Sequence, residues 1–233
     1  MESSIPLVRR LADEENPNSF SNRRRTRRFA QFEALAATLP RPLRILDVGG
    51  TNAFWEHRGW AGRKDVEILT LNLASEEQRY DNIKPLTGDA TNLHEFGDGS
   101  FDIAFSNSVI EHLFTFENQR RMAAEIQRVG KAFWVQTPNF WFPMEPHFHV
   151  PGWQWMPVDL RVSIIRRRAC GWRGPCPDPV GARALVEEVR LMEKSELRAI
   201  FPTAKLVPER FCGMVKSWIA ISGFPANTPE PKM

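Results

Sequence analysis

The sequence predicts an α/β fold: a doubly wound, mostly parallel seven-stranded sheet ending in an antiparallel hairpin. Three observations lead there. Apolar runs of strand length alternate with helix-period segments between residues 44 and 137, the pattern of a parallel sheet covered by helices. The first run, Arg44-Ile-Leu-Asp-Val48, stops at Gly49-Gly50, and open α/β sheets bind ligands at such strand ends. The last two runs, Lys205–Phe211 and Met214–Ser222, are separated only by Cys212-Gly213, which reads as a hairpin.

The elements follow in order. Residues 1–18 are polar and read as a flexible N-terminus. Phe29, Phe32, Leu35, Ala36 and Leu39 make one apolar stripe, so a helix is expected over 19–39, ended by Pro40 and Pro42. Arg44–Val48 is the first strand, Val66–Leu73 the second, Ile83–Thr87 a weak third and Phe101–Ser106 the fourth. A short helix is expected over 107–113 and a longer one over 117–129. Lys131–Thr137 is the fifth strand. Right-handed crossovers make such a sheet doubly wound.

After Pro138 the character changes. Residues 139–157 are crowded with aromatics, prolines and histidines, too apolar for disorder and too irregular for a helix or strand. Residues 158–200 read as mainly helical, interrupted around 170–179. The expectation is one domain over 19–223 with an aromatic insertion at 139–179, then a flexible tail at 224–233.

Composition sets further bounds. The 233 residues suit one well-buried domain. No apolar run approaches the roughly 18 residues of a membrane span, and the N-terminus lacks the apolar core of a secretory signal, which places the chain in the cytoplasm. The net charge of +3 is too weak to mark a nucleic-acid binder; the arginine clusters at 23–28 and 166–168 read as solvated helix faces. Three cysteines, at 170, 176 and 212, match no metal or redox spacing and read as free thiols.

Four pieces of sequence, in this order, resemble the class I S-adenosylmethionine-dependent methyltransferases, within them the branch that modifies small molecules, lipids and sugars. They are Leu46-Asp-Val-Gly-Gly50, Gly88-Asp-Ala90, the run from Phe101 through Ser-Asn-Ser-Val-Ile-Glu-His to Leu113, and the terminal hairpin. The resemblance implies S-adenosyl-L-methionine as cofactor, held by Asp47, Gly49, Gly50 and Thr51 at the first turn. Asn72 stands where relatives commonly place a carboxylate for the ribose. Asp89 and Ala90 match the adenine-contacting position, and Ser106 and Asn107 the methionyl side. Asp102 reads as structural. The residues agree: the G-x-G-x-x-G pattern that seats pyrophosphate is absent, and S-adenosylmethionine has no phosphate.

Methyl transfer from a sulfonium needs alignment, exclusion of water and, for a hydroxyl acceptor, a base. Of five histidines, His57 and His94 read as structural or exposed. His112 follows the fourth strand, and His147 and His149 lie in the aromatic segment; these three are the candidate catalytic residues. A His-x-His metal site with Glu145 is the weaker alternative, because i and i+2 side chains diverge on an extended chain. Trp141, Phe142, Phe148, Trp153 and Trp155 either wall an acceptor pocket or plug the core. The leading reading is methyl transfer to a hydroxyl of a sugar or related metabolite. A lipid or quinone-type acceptor and a non-catalytic binding protein are the alternatives. No nucleic-acid partner is expected, and the oligomeric state stays open.

Overall fold

The computed structural model describes residues 20–74 and 76–225. The expectations for residues 1–18 and for nearly all of 224–233 fall outside the described residues. The described residues divide into two compact units: those of 35–142 and 187–225 form one, and those of 20–34 and 143–186 form the other.

The larger unit holds the sheet. Its strands are β1 (Leu43–Val48), β2 (Val66–Asn72), β3 (Ile83–Thr87), β4 (Phe101–Asn107), β5 (Gly130–Pro138), β6 (Lys205–Phe211) and β7 (Met214–Ser222). They lie in the order β3-β2-β1-β4-β5-β7-β6. The first five are parallel to one another, and β7 inserts antiparallel between β5 and β6. This is the expected doubly wound sheet with its terminal hairpin, and residues 212 and 213 make the turn with positive φ. The order reverses between β1 and β4, where Val48 lies opposite Ser106. Ligands of open α/β sheets bind at the carboxyl ends of the strands that flank such a reversal.

The buried pattern explains the strand runs. Five of the six residues of β1 are buried, as are the last seven of β5; strands covered on both faces lose the polar–apolar alternation. On one face, α3 (Phe116–Val129) buries Met122, Ala123, Ile126 and Val129 in a cluster with Leu46, Phe133, Leu197, Ile200 and Phe201. Leu197 and Ile200 come from α6 (Lys194–Ile200). Thr115 caps α3, accepting the Asn118 N–H at 3.2 Å. Asp102 clamps the opposite end of the sheet: it accepts the Arg44 N–H at 2.8 Å and Lys131 Nζ at 2.8 Å.

The helix expected over 107–113 is a three-residue 3₁₀ turn, Ile110–His112. Asn107 belongs to β4. Ser108 and Phe114 take positive φ, +58° and +61°, and interrupt the helical run on both sides.

In the smaller unit, α1 (Phe20–Ala36) lies within this unit as far as Ala34 and buries Phe29 and Phe32. Residues 143–157 fold as a compact loop. Met144 bridges Pro151, the Gly152 N–H reaches Pro143 O at 2.7 Å, and Phe148 stacks on Trp153 at 4.3 Å. Then come α4 (Val158–Arg167) and α5 (Pro179–Glu187). The three cysteines are free thiols. Among the described residues, no helix is long and apolar enough to cross a membrane.

Candidate active site

Gly49 and Gly50 turn the chain at the carboxyl end of β1. Gly49 has φ +80°, and a Cβ there would lie 2.3 Å from Val109. A Cβ on Gly50 would lie 1.7 Å from the Asp47 carboxylate. Asp47 is therefore folded beneath the turn, 1% exposed, and accepts the Trp55 indole N–H at 2.7 Å. Burial pushes its carboxyl up to about 7, and the indole hydrogen bond only partly offsets this. Ser106 lies at the same depth, donating to Val48 O at 3.2 Å.

Thr51 caps α2 (Asn52–His57), accepting the Phe54 N–H at 3.2 Å. The first helical residue meets a group that the sequence reading overlooked. Glu76 Oε2 accepts both the backbone N–H and the side-chain amide of Asn52, each at 3.0 Å. Asn52 Nδ2 also donates to Glu77 O at 2.9 Å. The Asn52 Oδ1 atom is buried with no hydrogen-bond partner among the described residues. Asn72 turns its amide onto Gly50 O at 2.6 Å. No sequence signal links Glu76 to Asn52 across 24 residues; only the closeness of the β1 and β2 ends brings them together.

Asp89 is exposed, and its carboxylate accepts the Thr91 N–H at 2.8 Å and hydroxyl at 2.9 Å, a local turn that also fixes Ala90. Asn107 is half-buried at the end of β4, opposite Gln136. His112 ends the 3₁₀ turn with Nδ1 3.4 Å from Glu188 Oε1. The adjacent Glu111 is fully buried and accepts the Thr137 hydroxyl at 3.0 Å.

The smaller unit carries the other two histidines. His147 Nδ1 lies 2.6 Å from Oε1 of Glu145, a carboxylate 1% exposed. Glu145 Oε2 accepts the backbone N–H groups of His147 at 2.7 Å and Phe148 at 2.6 Å. His149 has φ +51° and packs edge-on against Trp172 at 5.6 Å. The two histidines thus have different surroundings, although the sequence presents them as a matched pair. Trp153 is buried, and its indole N–H has no hydrogen-bond partner among the described residues. Trp141, Trp155 and Trp172 are exposed.

The turn offers acceptors and little room for an anion. Glu76 already occupies the N-terminus of α2, where a phosphate would otherwise sit. The buried, unpartnered Asn52 oxygen calls for a donor, and the ammonium and hydroxyl groups of S-adenosylmethionine are donors. The residues present fit that cofactor.

Known proteins bear on this. Residues 63–132 match the family model described as a methyltransferase domain. An uncharacterised protein of Mycobacterium tuberculosis is 35% identical over 81 residues, which is 35% of this chain and 27% of that protein. The match therefore spans about a quarter of that relative's length. Among solved structures, a chain described as a methyltransferase, in complex with the Trm112 methyltransferase activator of Haloferax volcanii, superposes with a TM-score of 0.50 and 14% identity, covering 91% of this chain and 94% of that one. A chain described as a zinc-dependent alcohol dehydrogenase from Rhodobacter sphaeroides gives 0.50 and 11%, covering 84% and 89%. At these identities the superpositions speak for the fold alone. Residues 63–132 thus match a methyltransferase-domain model, and that segment supplies β2, β3 and β4 of the seven-stranded sheet.

Proposed function

We propose that the chain is a cytoplasmic S-adenosylmethionine-dependent methyltransferase acting on a small-molecule acceptor, at a hydroxyl oxygen of a sugar or related metabolite. The cofactor reading rests on the Glu76 cap of α2. A dinucleotide would bring pyrophosphate to that helix end and meet a carboxylate. A cationic, hydroxyl-bearing ligand meets acceptors instead. S-adenosylmethionine supplies an electrophilic methyl group on a sulfonium.

In this reading Gly49, Gly50 and Thr51 form the backbone turn that the methionyl part approaches. Asp47 and Ser106 hold that turn from beneath. Asn72 serves the ribose, Asp89 and Ala90 the adenine, and Asn107 the methionyl side. The protein aligns donor and acceptor, excludes water and removes the acceptor's proton. His147 takes the base role ahead of His149 and His112. Its Nδ1 lies 2.6 Å from Oε1 of Glu145, a buried carboxylate. His112 is paired with Glu188, and His149 is held in a left-handed conformation against Trp172.

A lipid or quinone-type acceptor is the second reading. Exposed Trp155, Leu160 and Trp172 and exposed Arg166, Arg167 and Arg168 favour it, since such groups suit an amphiphile.

Calorimetry with S-adenosylhomocysteine tests the cofactor. Binding is expected at about micromolar, with Asn72→Ala and Asp89→Ala each weakening it about tenfold, roughly 1.4 kcal/mol. Folded protein that binds neither S-adenosylhomocysteine nor S-adenosylmethionine would end the reading. Binding without transfer of labelled methyl to any fraction of a metabolite extract would leave the non-catalytic alternative.

A further inference from the structure

We infer that the smaller unit carries a docking surface for an anionic phospholipid bilayer, formed by exposed arginines and exposed apolar side chains around α4. The docking surface is independent of the methyltransferase reading. The described residues 20–34 and 143–186 hold eleven arginines, no lysine and four carboxylates (Glu33, Glu145, Asp159 and Asp178), an excess of seven positive charges in a chain whose net charge is +3. The guanidinium suits phosphate, since its planar fork of donors matches two oxygens. Arg23, Arg27, Arg166, Arg167, Arg168 and Arg183 are exposed. Arg183 is paired with Asp159. The run at 166–168 has another character. Arg166 Nε donates to Pro177 O at 2.9 Å and Arg167 Nη1 to Ser163 O at 3.0 Å, carbonyls and not carboxylates.

A solvated helix face has a different composition. On α3, Arg120 and Arg121 share Glu117 at 2.7 and 3.1 Å, one turn away. The positions one turn before Arg166 and Arg167 hold Val162, Ser163 and Ile164, with no carboxylate. Cations in the last turn complement the helix dipole, but that leaves the apolar neighbours unexplained. α4 buries Val162 and Ile165. Leu160, Ile164 and Arg167, at i, i+4 and i+7, form the opposite stripe, and Leu160 is about half exposed. Trp155, just before α4, and Trp172, shortly after Arg168, are about half exposed as well, and Val180 is 77% exposed at the start of α5. Indole rings and arginine stems sit at the boundary between headgroups and acyl chains, and aliphatic side chains enter it. Nucleic acid fits less well, because Leu160 and Val180 offer no ring on which a base can stack. A second copy of the chain fits less well too: a twofold interface brings the same patch to both sides and sets arginine against arginine.

Flotation of the whole chain with lipid vesicles is the test. Binding is expected to vesicles of phosphatidylcholine mixed with phosphatidylglycerol and not to phosphatidylcholine alone, and to weaken as salt rises. Arg166→Gln, Arg167→Gln and Arg168→Gln together are expected to weaken it about hundredfold, each basic residue contributing about fivefold. Leu160→Gln with Trp172→Gln is expected to weaken it about tenfold and to leave the salt dependence in place. Circular dichroism checks the folding of each variant, and the two vesicle types compared on the wild-type chain decide even where a variant does not fold. No binding to the anionic vesicles, or equal binding to both kinds, would overturn the inference. So would an unchanged affinity in the folded arginine variant. Tighter binding to single-stranded RNA than to the anionic vesicles would replace the bilayer with nucleic acid. A dimer in sedimentation that needs the same residues, without vesicle binding, would replace it with a second copy. No arm measures methyl transfer, so failure of the methyltransferase reading leaves the outcome standing.

Discussion

Asp47, read from the sequence as a cofactor contact, also has a structural task at the turn. It stands at the end of β1 beside two glycines, where an acceptor for a cofactor is expected. Its carboxylate lies under Gly50 and holds the Trp55 ring, which packs against Phe105 at 5.5 Å and Trp60 at 5.3 Å. Burial raises its carboxyl from 3.8 to about 7. The sign follows. Between these values the folded chain keeps a proton that the unfolded chain releases, so Asp47 favours folding below about pH 4 and loses that contribution as pH rises through 7. Asp47→Asn is therefore expected to gain on wild type between pH 4.5 and pH 8, by on the order of a few kcal/mol. Urea midpoints at the two pH values measure it; a difference that stays constant would mean Asp47 is ionised throughout. The glycine pair was legible as a turn. That the second glycine makes room for the Asp47 side chain was not, because an 8-residue contact to Trp55 has no local signature.

At the scale of elements, α3 was legible from its apolar period, and its start and end differ little from expectation. What ties it to the β3–β4 connection is Arg128. Nε and Nη2 form a fork on Glu125 at 2.9 and 2.7 Å. Nη1 reaches Phe96 O at 2.7 Å and Asp98 at 3.0 Å, and Nη2 reaches Leu93 O at 2.9 Å. The guanidinium beside Glu125 holds that carboxyl below the usual range, while Glu125 also accepts the Leu93 N–H at 2.7 Å. Arg128→Ala would strip two carbonyls of their donor and is expected to cost about 2 to 3 kcal/mol, read from denaturant unfolding. A loss under about 0.5 kcal/mol would show the fork to be an ordinary surface ion pair. The segment after β4 forms a shorter helix than the expected one for a related reason. Its apolar residues fit a helix, but the Ser108 N–H bonds Gln136 O at 3.0 Å and its hydroxyl bonds the Gln136 side chain at 2.8 Å, fixing a left-handed residue that periodicity cannot reveal.

For the whole molecule, the sheet manages its two edges with proline. Pro85 lies in β3 and Pro208 in β6, the outermost strands. Proline removes a ladder donor and is tolerated where no neighbour needs it. If the proposed cofactor binds the folded chain alone, S-adenosylhomocysteine at one hundred times its dissociation constant should stabilise it by about 2.7 kcal/mol. A thermal scan should then show a melting point that rises steadily with ligand concentration. A melting point indifferent to ligand would contradict the cofactor reading independently of calorimetry.

The sequence by itself determined the alternation of strands and helices, the glycine turn after β1 and the terminal hairpin. Each is written in neighbouring residues through period, turn chemistry and burial. Tertiary structure decided which polar groups surround the turn and each histidine. Glu76 reaches Asn52 only because β1 and β2 end side by side. Glu145 and His147 are neighbours in sequence, yet their hydrogen bond depends on the folded loop around Phe148, Trp153 and Gly171. Local pattern fixes which elements form; the direction of a polar side chain is set by groups distant in the chain.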